Sequence, residues 1–268
     1  MSWIDLSART KLKLSGPDRV RFLNGQVSNQ IDQDLSGKAI PACVCNLKGK
    51  IEALIWITEK DDALFIDCDA ELREELFTRL DRYLIADDCE LEDITDDFKL
   101  FHVLEKSADG IASERLGEPG KDIWISSSDK NFKPKGDQIG ADAVESMRIQ
   151  RGIPKWGHEL TGDELPAEMG LDKTAVNFHK GCYLGQEIIS RIESVGQVKR
   201  TLICLKASGD TPPIEVEEPV TLEGKKMGKI TSAIPEGSAT LGLALVKRSF
   251  TEAADAGRLP NGWEIQES

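Results

Sequence analysis

Between residues 152 and 188 this chain is punctuated so densely that no long helix or strand can cross its middle. Gly152, Pro154, Gly157, Gly162, Pro166 and Gly170 interrupt every regular pattern, because proline removes a backbone donor and glycine loses more freedom on ordering than any other residue. The stretch then runs into His179-Lys180-Gly181-Cys182-Tyr183-Leu184-Gly185-Gln186-Glu187-Ile188, where a lysine, a thiol, an amide and a carboxylate sit between two glycines. Such a run is a poor helix and has little to bury. Irregular segments held by a scaffold are where binding and chemistry are usually carried, so a functional cleft is expected here.

On the N-terminal side, a strand over Ala8 to Leu14 leads through Ser15-Gly16-Pro17 into a short helix over Asp18 to Gln26. Ala39 to Cys45, Ile51 to Thr58 and Ala63 to Cys68 are apolar and β-branched, and the polar links between them predict a β-meander. Leu72, Leu76, Leu80 and Leu84 recur at helical spacing with Phe77 and Tyr83 on the same side, which predicts an amphipathic helix over Ala70 to Leu84 capped by Asp69. Cys89 to Ile94, Leu100 to Glu105 and Ile123 to Ser126 read as strands, and Ala108 to Leu116 and Ala141 to Arg151 as helices. After Gln197 the texture changes to short strands over Val198 to Lys206, Pro219 to Leu222, Met227 to Ala233 and Ala239 to Val246, a small β-barrel or sandwich of its own. The order is that of an α+β protein.

A net charge of −13 over 268 residues repels phosphate backbones, so no nucleic-acid partner is expected. The longest apolar runs, such as Ala53 to Thr58, are far short of the roughly 20 residues a spanning helix needs, so no membrane partner is expected either. The first residues carry neither a secretory nor a transit pattern, which makes the cytoplasm the simplest address, and the six cysteines read as reduced thiols. Lys180, Arg191, Lys199 and Arg200 form a basic island that is either a set of solvated charges or a seat for a small anionic ligand.

Cys182 follows Lys180 and precedes a helix-compatible run over Tyr183 to Ile192. A thiol at a helix N-terminus beside a lysine has its thiolate favoured, which makes Cys182 the candidate catalytic residue; a structural thiol in a turn is the alternative. Gln186 lies one helical turn further on, and Glu187 precedes Arg191 by four residues, as a site residue or as half of a surface ion pair. The histidines at 102, 158 and 179 and the cysteine spacings match no zinc or iron-sulfur ligand set, so no metal site is expected. Phosphate-cradling glycine loops and a G-x-S-x-G elbow are missing from the sequence.

Lys180-Gly181-Cys182-Tyr183-Leu184-Gly185-Gln186-Glu187 resembles the K-G-C-Y-x-G-Q-E signature of the YgfZ family, folate-binding proteins related to the glycine cleavage T-protein and associated with iron-sulfur cluster assembly or repair. Leu14 to Asn29, Cys45 to Ile51, and Arg148 to Gly152 with Pro154 are similar to further segments of that family, so the resemblance spans most of the chain. It implies a T-protein-like cloverleaf of subdomains around a central channel. Residues 1–196 would form the folate-binding region as two intertwined α+β subdomains, and residues 197–268 a small C-terminal β-barrel. It further implies tetrahydrofolate as cofactor, with Arg148, Lys180, Tyr183, Gln186, Glu187 and Glu52 as candidate contacts, and iron-sulfur client or assembly proteins as partners beside the reduced folate. Arg148 and Lys180 would meet its anionic tail or its ring, and Tyr183 would stack on the pterin.

One departure bears on chemistry. The T-protein carries an acidic pair where this chain has Glu52 and the apolar Ala53, so one acid is missing. An alanine neither orients a folate nitrogen nor stabilises a developing positive charge. The resemblance therefore points to a folate-binding accessory protein, with a folate-dependent aminomethyltransferase or demethylase as the alternative.

Overall fold

A computed structural model of the chain describes residues 1–31, 35, 37–209, 211–253 and 262–266. In chain order the elements are β1 (Ser2–Asp5), β2 (Thr10–Ser15), α1 (Arg19–Gln26), β3 (Ala39–Cys45), β4 (Ile51–Lys60), β5 (Ala63–Cys68), α2 (Arg73–Asp81), β6 (Glu90–Asp93), β7 (Phe98–Val103), β8 (Ile111–Ser113), β9 (Gly120–Ser126), β10 (Asp137–Gln138), α3 (Ala141–Gln150), α4 (Gln186–Val195), β11 (Arg200–Ala207), β12 (Pro219–Leu222), β13 (Lys225–Glu236), β14 (Ala239–Lys247), α5 (Arg248–Ala253) and β15 (Glu264–Gln266). The strands make three five-stranded sheets, ordered β3-β4-β5-β2-β6, β10-β1-β7-β9-β8 and β12-β13-β14-β11-β15.

The expected meander is the start of the first sheet, with β3, β4 and β5 adjacent and antiparallel. Its two faces are both covered. Ala42 and Val44 of β3 join a core with Phe22 and Leu23 of α1 and Leu76 and Leu80 of α2, while Cys43 and Cys45 pack on the opposite side with Tyr183, Met169 and Ile189. Alternation with period two puts successive side chains into different cores, so β3 is buried along both faces. Burial pushes the Cys43 thiol up to about 12, and such a thiol behaves as a small hydrophobe.

The second sheet is joined to the first by Phe65 of β5, Phe98 of β7 and Trp124 of β9, whose rings meet edge to face with centroids 5.5, 5.3 and 6.4 Å apart. The third sheet receives α3, whose Ile149 packs with Cys204, Leu241 and Leu243.

Four expectations change. Ala108 to Leu116 is no helix: Ile111–Ser113 is β8, paired antiparallel with β9, because an open sheet edge satisfies its backbone groups and Ile111 packs on the aromatic cluster. The helix expected over 70–84 is a 3-10 turn at Ala70–Leu72 followed by α2, and Asp69 pairs with Arg9 instead of capping it. The helix of the signature starts at Gln186, three residues later than read. The C-terminal strands form an open sheet rather than a barrel, since among the described residues the short edge strands β12 and β15 do not pair with each other.

Candidate functional site

A cavity of about 420 Å³ is lined by β1, β4, β7, β10 and α3 and by the loops after β5 and β8. Ile4, Leu6, Leu54, Leu116, Val144 and Ile153 make its wall largely apolar. Along one side runs a chain of buried and half-buried charges of alternating sign. Arg9 donates to Asp69 at 2.8 Å and also to Asp67; Arg115 grips both oxygens of Asp67 at 2.9 and 2.6 Å and reaches Asp122 at 2.8 Å. Asp122 Oδ1 lies 2.8 Å from His102 Nδ1 and accepts from Ser113 Oγ at 2.8 Å. Burial alone would raise the Asp122 carboxyl, but the Arg115 charge and the bonds from His102 and Arg115 hold it down to about 2. Arg115 also stacks 4.8 Å over the Trp56 ring.

Ser113, His102 and Asp122 are the residue types of a hydrolase triad, but Ser113 and Asp122 both sit at the same imidazole nitrogen, and all three are buried. A triad needs the hydroxyl and the carboxylate at opposite nitrogens. The group is structural.

On the other side Arg148 is a hub. It donates to both oxygens of Glu145 at 3.0 and 2.6 Å, to Glu159 at 2.8 Å, to the Ile153 carbonyl at 2.6 Å and to Ser232 Oγ of β13 at 2.7 Å. Ser232 in turn donates to Glu159 at 2.6 Å. Burial works against the Glu145 carboxylate, but the Arg148 bonds and charge, with Lys155 and His158 behind them, keep it below its usual range.

The signature forms a second feature. Lys180 is buried, and its ammonium donates to the carbonyls of Asn24, Val27 and Asn29 at 2.8, 2.7 and 2.6 Å, fixing the loop after α1 to the signature. The same ammonium lies 5.2 Å from the centroid of the Tyr183 ring. Tyr183 is buried with its hydroxyl unpartnered, and burial raises the phenol. Gly185, at φ 85, brings the chain against the turn over 46–49: a β-carbon there would lie 2.4 Å from the Asn46 carbonyl oxygen. Gln186 opens α4 and accepts from the Tyr183 amide at 3.4 Å.

Cys182 is exposed and lies ahead of α4, which opens at Gln186 with Gly185 at its N-cap, rather than on the first turn of that helix. Glu187 and Arg191 are both exposed, and among the described residues neither makes an ion pair. Glu52 pairs with Arg79 at 2.8 Å, and Arg79 continues to Gln26 and the Cys45 carbonyl.

Of the candidate site residues named from the sequence, Arg148 alone lines the cavity; Cys182, Lys180, Tyr183, Gln186, Glu187 and Glu52 are outside its lining. The basic island is divided, with Lys180 buried among carbonyls and Arg200 paired with buried Glu168 at 2.9 Å. Sequence reasoning passed over Arg9, Glu145 and Lys155 and read Asp69 only as a helix cap, and all four line the cavity. The spacing of three between Glu145 and Arg148 was a usable signal on a helix.

The fold so built is that of an aminomethyltransferase of the glycine cleavage system. It superposes on aminomethyltransferase T from Bartonella henselae with a TM-score of 0.81, covering 99% of this chain and 85% of that one at 15% identity. No family model matches the chain. Among curated proteins it is similar to a putative chloroplastic transferase of Arabidopsis thaliana, 27% identical over 91% of this chain and 65% of that protein. It is also similar to a mitochondrial iron-sulfur cluster assembly factor IBA57 homolog of Dictyostelium discoideum, 22% identical over 74% of this chain and 61% of that protein. A tRNA-modifying protein YgfZ of Aliivibrio fischeri is 22% identical over 94% of this chain and 87% of its own length. The resemblance to the YgfZ family read from the signature is thus shown, and the chain spans under two thirds of the length of the plant and Dictyostelium relatives. Among the described residues no helix is long and apolar enough to cross a membrane.

Proposed function

We propose that the chain is a tetrahydrofolate-binding accessory protein that supports assembly or repair of iron-sulfur enzymes, with the cytoplasm as its address. The reading is supported by relatives named as iron-sulfur cluster assembly factors and by the cavity, which is the observation that carries the folate part. Its volume of about 420 Å³ falls in the roughly 300–1,000 Å³ range of small-molecule sites. A reduced pterin is a flat ring with apolar faces and a polar edge, and the cavity offers Leu54, Leu116 and Ile153 for the faces and Asp5 and Gln138 for the edge. The residues present therefore fit the cofactor. When bound, it would supply a carrier for one-carbon units; Arg148 and Glu145 would border it, and the apolar wall would exclude water. We keep residues 1–196 as the folate-binding region and 197–268 as a separate C-terminal unit, bound to each other through Arg148 and Ser232.

Cys182, exposed on the signature loop, is assigned to the partner-facing chemistry, and Lys180 to building that loop, since its ammonium is committed to carbonyls. Tyr183, Gln186 and Glu187 are assigned to shaping the loop and the start of α4. Glu52 is held by Arg79 outside the cavity lining, which speaks for an accessory role over one-carbon transfer. Titration with tetrahydrofolate, followed by protein fluorescence, tests the reading: saturable binding is expected, and its absence at millimolar ligand overturns it. Cys182→Ala is expected to keep both folate affinity and the thermal midpoint, because the thiol is exposed, while losing support of iron-sulfur enzyme activity in cells. Full support of that activity by the variant would remove the thiol from the function.

A further inference from the structure

Four cationic side chains line the cavity, namely Arg9, Arg115, Arg148 and Lys155. The three guanidiniums are each already met by two carboxylates: Arg9 by Asp67 and Asp69, Arg115 by Asp67 and Asp122, Arg148 by Glu145 and Glu159. An incoming anion would have to compete with a carboxylate already held by each of them, and displacing Asp67, Asp122 or Glu159, which are buried, would strand a charge. Lys155 differs. Among the described residues its ammonium has neither an ion pair nor a hydrogen bond, although it stands near enough to Glu145 to help keep that carboxyl ionised.

The backbone beneath Lys155 is fixed. It follows Pro154, its amide donates to Glu159 Oε2 at 3.1 Å, and its carbonyl accepts from the amides of Glu159 and Leu160 at 3.1 Å each. The side chain is half-buried, so a bond to an anion there is less screened than one on open surface. Glu145, whose carboxylate the Lys155 charge helps to hold ionised, has both oxygens on Arg148, and that counter-charge offsets its repulsion of an anion.

We propose that Lys155 is the anion-binding residue of the cavity and takes a carboxylate of the glutamate tail of a reduced folate. The assignment rests on reading the cavity as a folate site, and it replaces Arg148 and Lys180 in the role of tail contact. The test is calorimetric titration of wild type, Lys155→Gln and Lys155→Arg with tetrahydrofolate and with a tetrahydropterin that lacks the tail. Lys155→Gln is expected to weaken tetrahydrofolate at least tenfold and to lose the salt dependence of its binding. Binding of the tail-less pterin and the thermal midpoint are expected to stay at wild-type values, and Lys155→Arg to retain most of the affinity. Equal binding of tetrahydrofolate by Lys155→Gln and wild type overturns the assignment, as does an equal loss for the tail-less pterin, which would make the residue structural. If wild type binds neither ligand, the folate reading itself fails, an outcome distinct from either of these.

Discussion

Lys180 was singled out in the sequence for its charge, and the structure gives that charge a different task. Three carbonyls around one ammonium hold the loop after α1 to the signature, and the chain repeats the device at Lys11, whose ammonium meets the carbonyls of Ser7, Arg9 and Thr95. Lys180→Met is expected to destabilise the protein by about 3 kcal/mol in urea unfolding, because it strands buried acceptors. Lys180→Arg is expected to restore little, since a planar fork cannot point three donors at carbonyls gathered about one atom. Asp122 gives a second expectation at this scale. Its carboxyl is depressed from 3.8 to about 2 in the folded protein, so its contribution is present above the unfolded value and is lost as pH falls through the folded one. Stability should therefore drop between about pH 4 and pH 2, by on the order of 2 kcal/mol from this group. Urea midpoints measured across that range should fall less steeply for Asp122→Asn than for wild type.

Among the elements, the junction of the turn over 46–49 with α4 depends on a backbone that only glycine accepts easily. Gly185 combines φ 85 with a carbonyl 2.4 Å from where a β-carbon would stand, whereas nothing lies within 4 Å of that point at Gly181. Gly185→Ala is expected to lose about 2 kcal/mol or more, and Gly181→Ala to stay within about 0.5 kcal/mol, as chemical denaturation of the pair would show. Strands with apolar alternation, such as β4, were legible because each buried residue obeys a local period. β8 was not, since its three residues are strand only by virtue of the edge of β9 beside them. The late start of α4 escaped for a related reason: Tyr183 is drawn into the core with Cys43 and Cys45, a contact that overrides its compatibility with helix.

At the scale of the whole molecule, Arg148 ties α3, the loop over 153–159 and β13 into one unit. Arg148→Met would leave Glu159, whose side chain is wholly buried, without its counter-charge. A loss of roughly 3–5 kcal/mol is expected, with hydrogen exchange in β13 accelerating before that in the first sheet. Wild-type protection of β13 in the variant would refute the tie. The resemblance made the aminomethyltransferase-like fold legible, but the cavity was not, because its lining draws on segments from Ile4 to Lys155 and no local pattern marks residues that meet only after folding. Arg148 lies both in a sequence motif and in the cavity lining, whereas Lys155 carries no motif at all.

The run of ions from Asp69 through Arg9, Asp67 and Arg115 to Asp122, which in turn meets the His102 ring, stitches β5 to β7 and β9, that is, one sheet to its neighbour. Sliding either sheet past the other would pull some charge into hydrocarbon with no counterpart, a penalty of several kcal/mol per ion. The gap between the sheets is consequently preset: a guest finds a berth of fixed width, and little rearrangement of the walls is left for its arrival to drive.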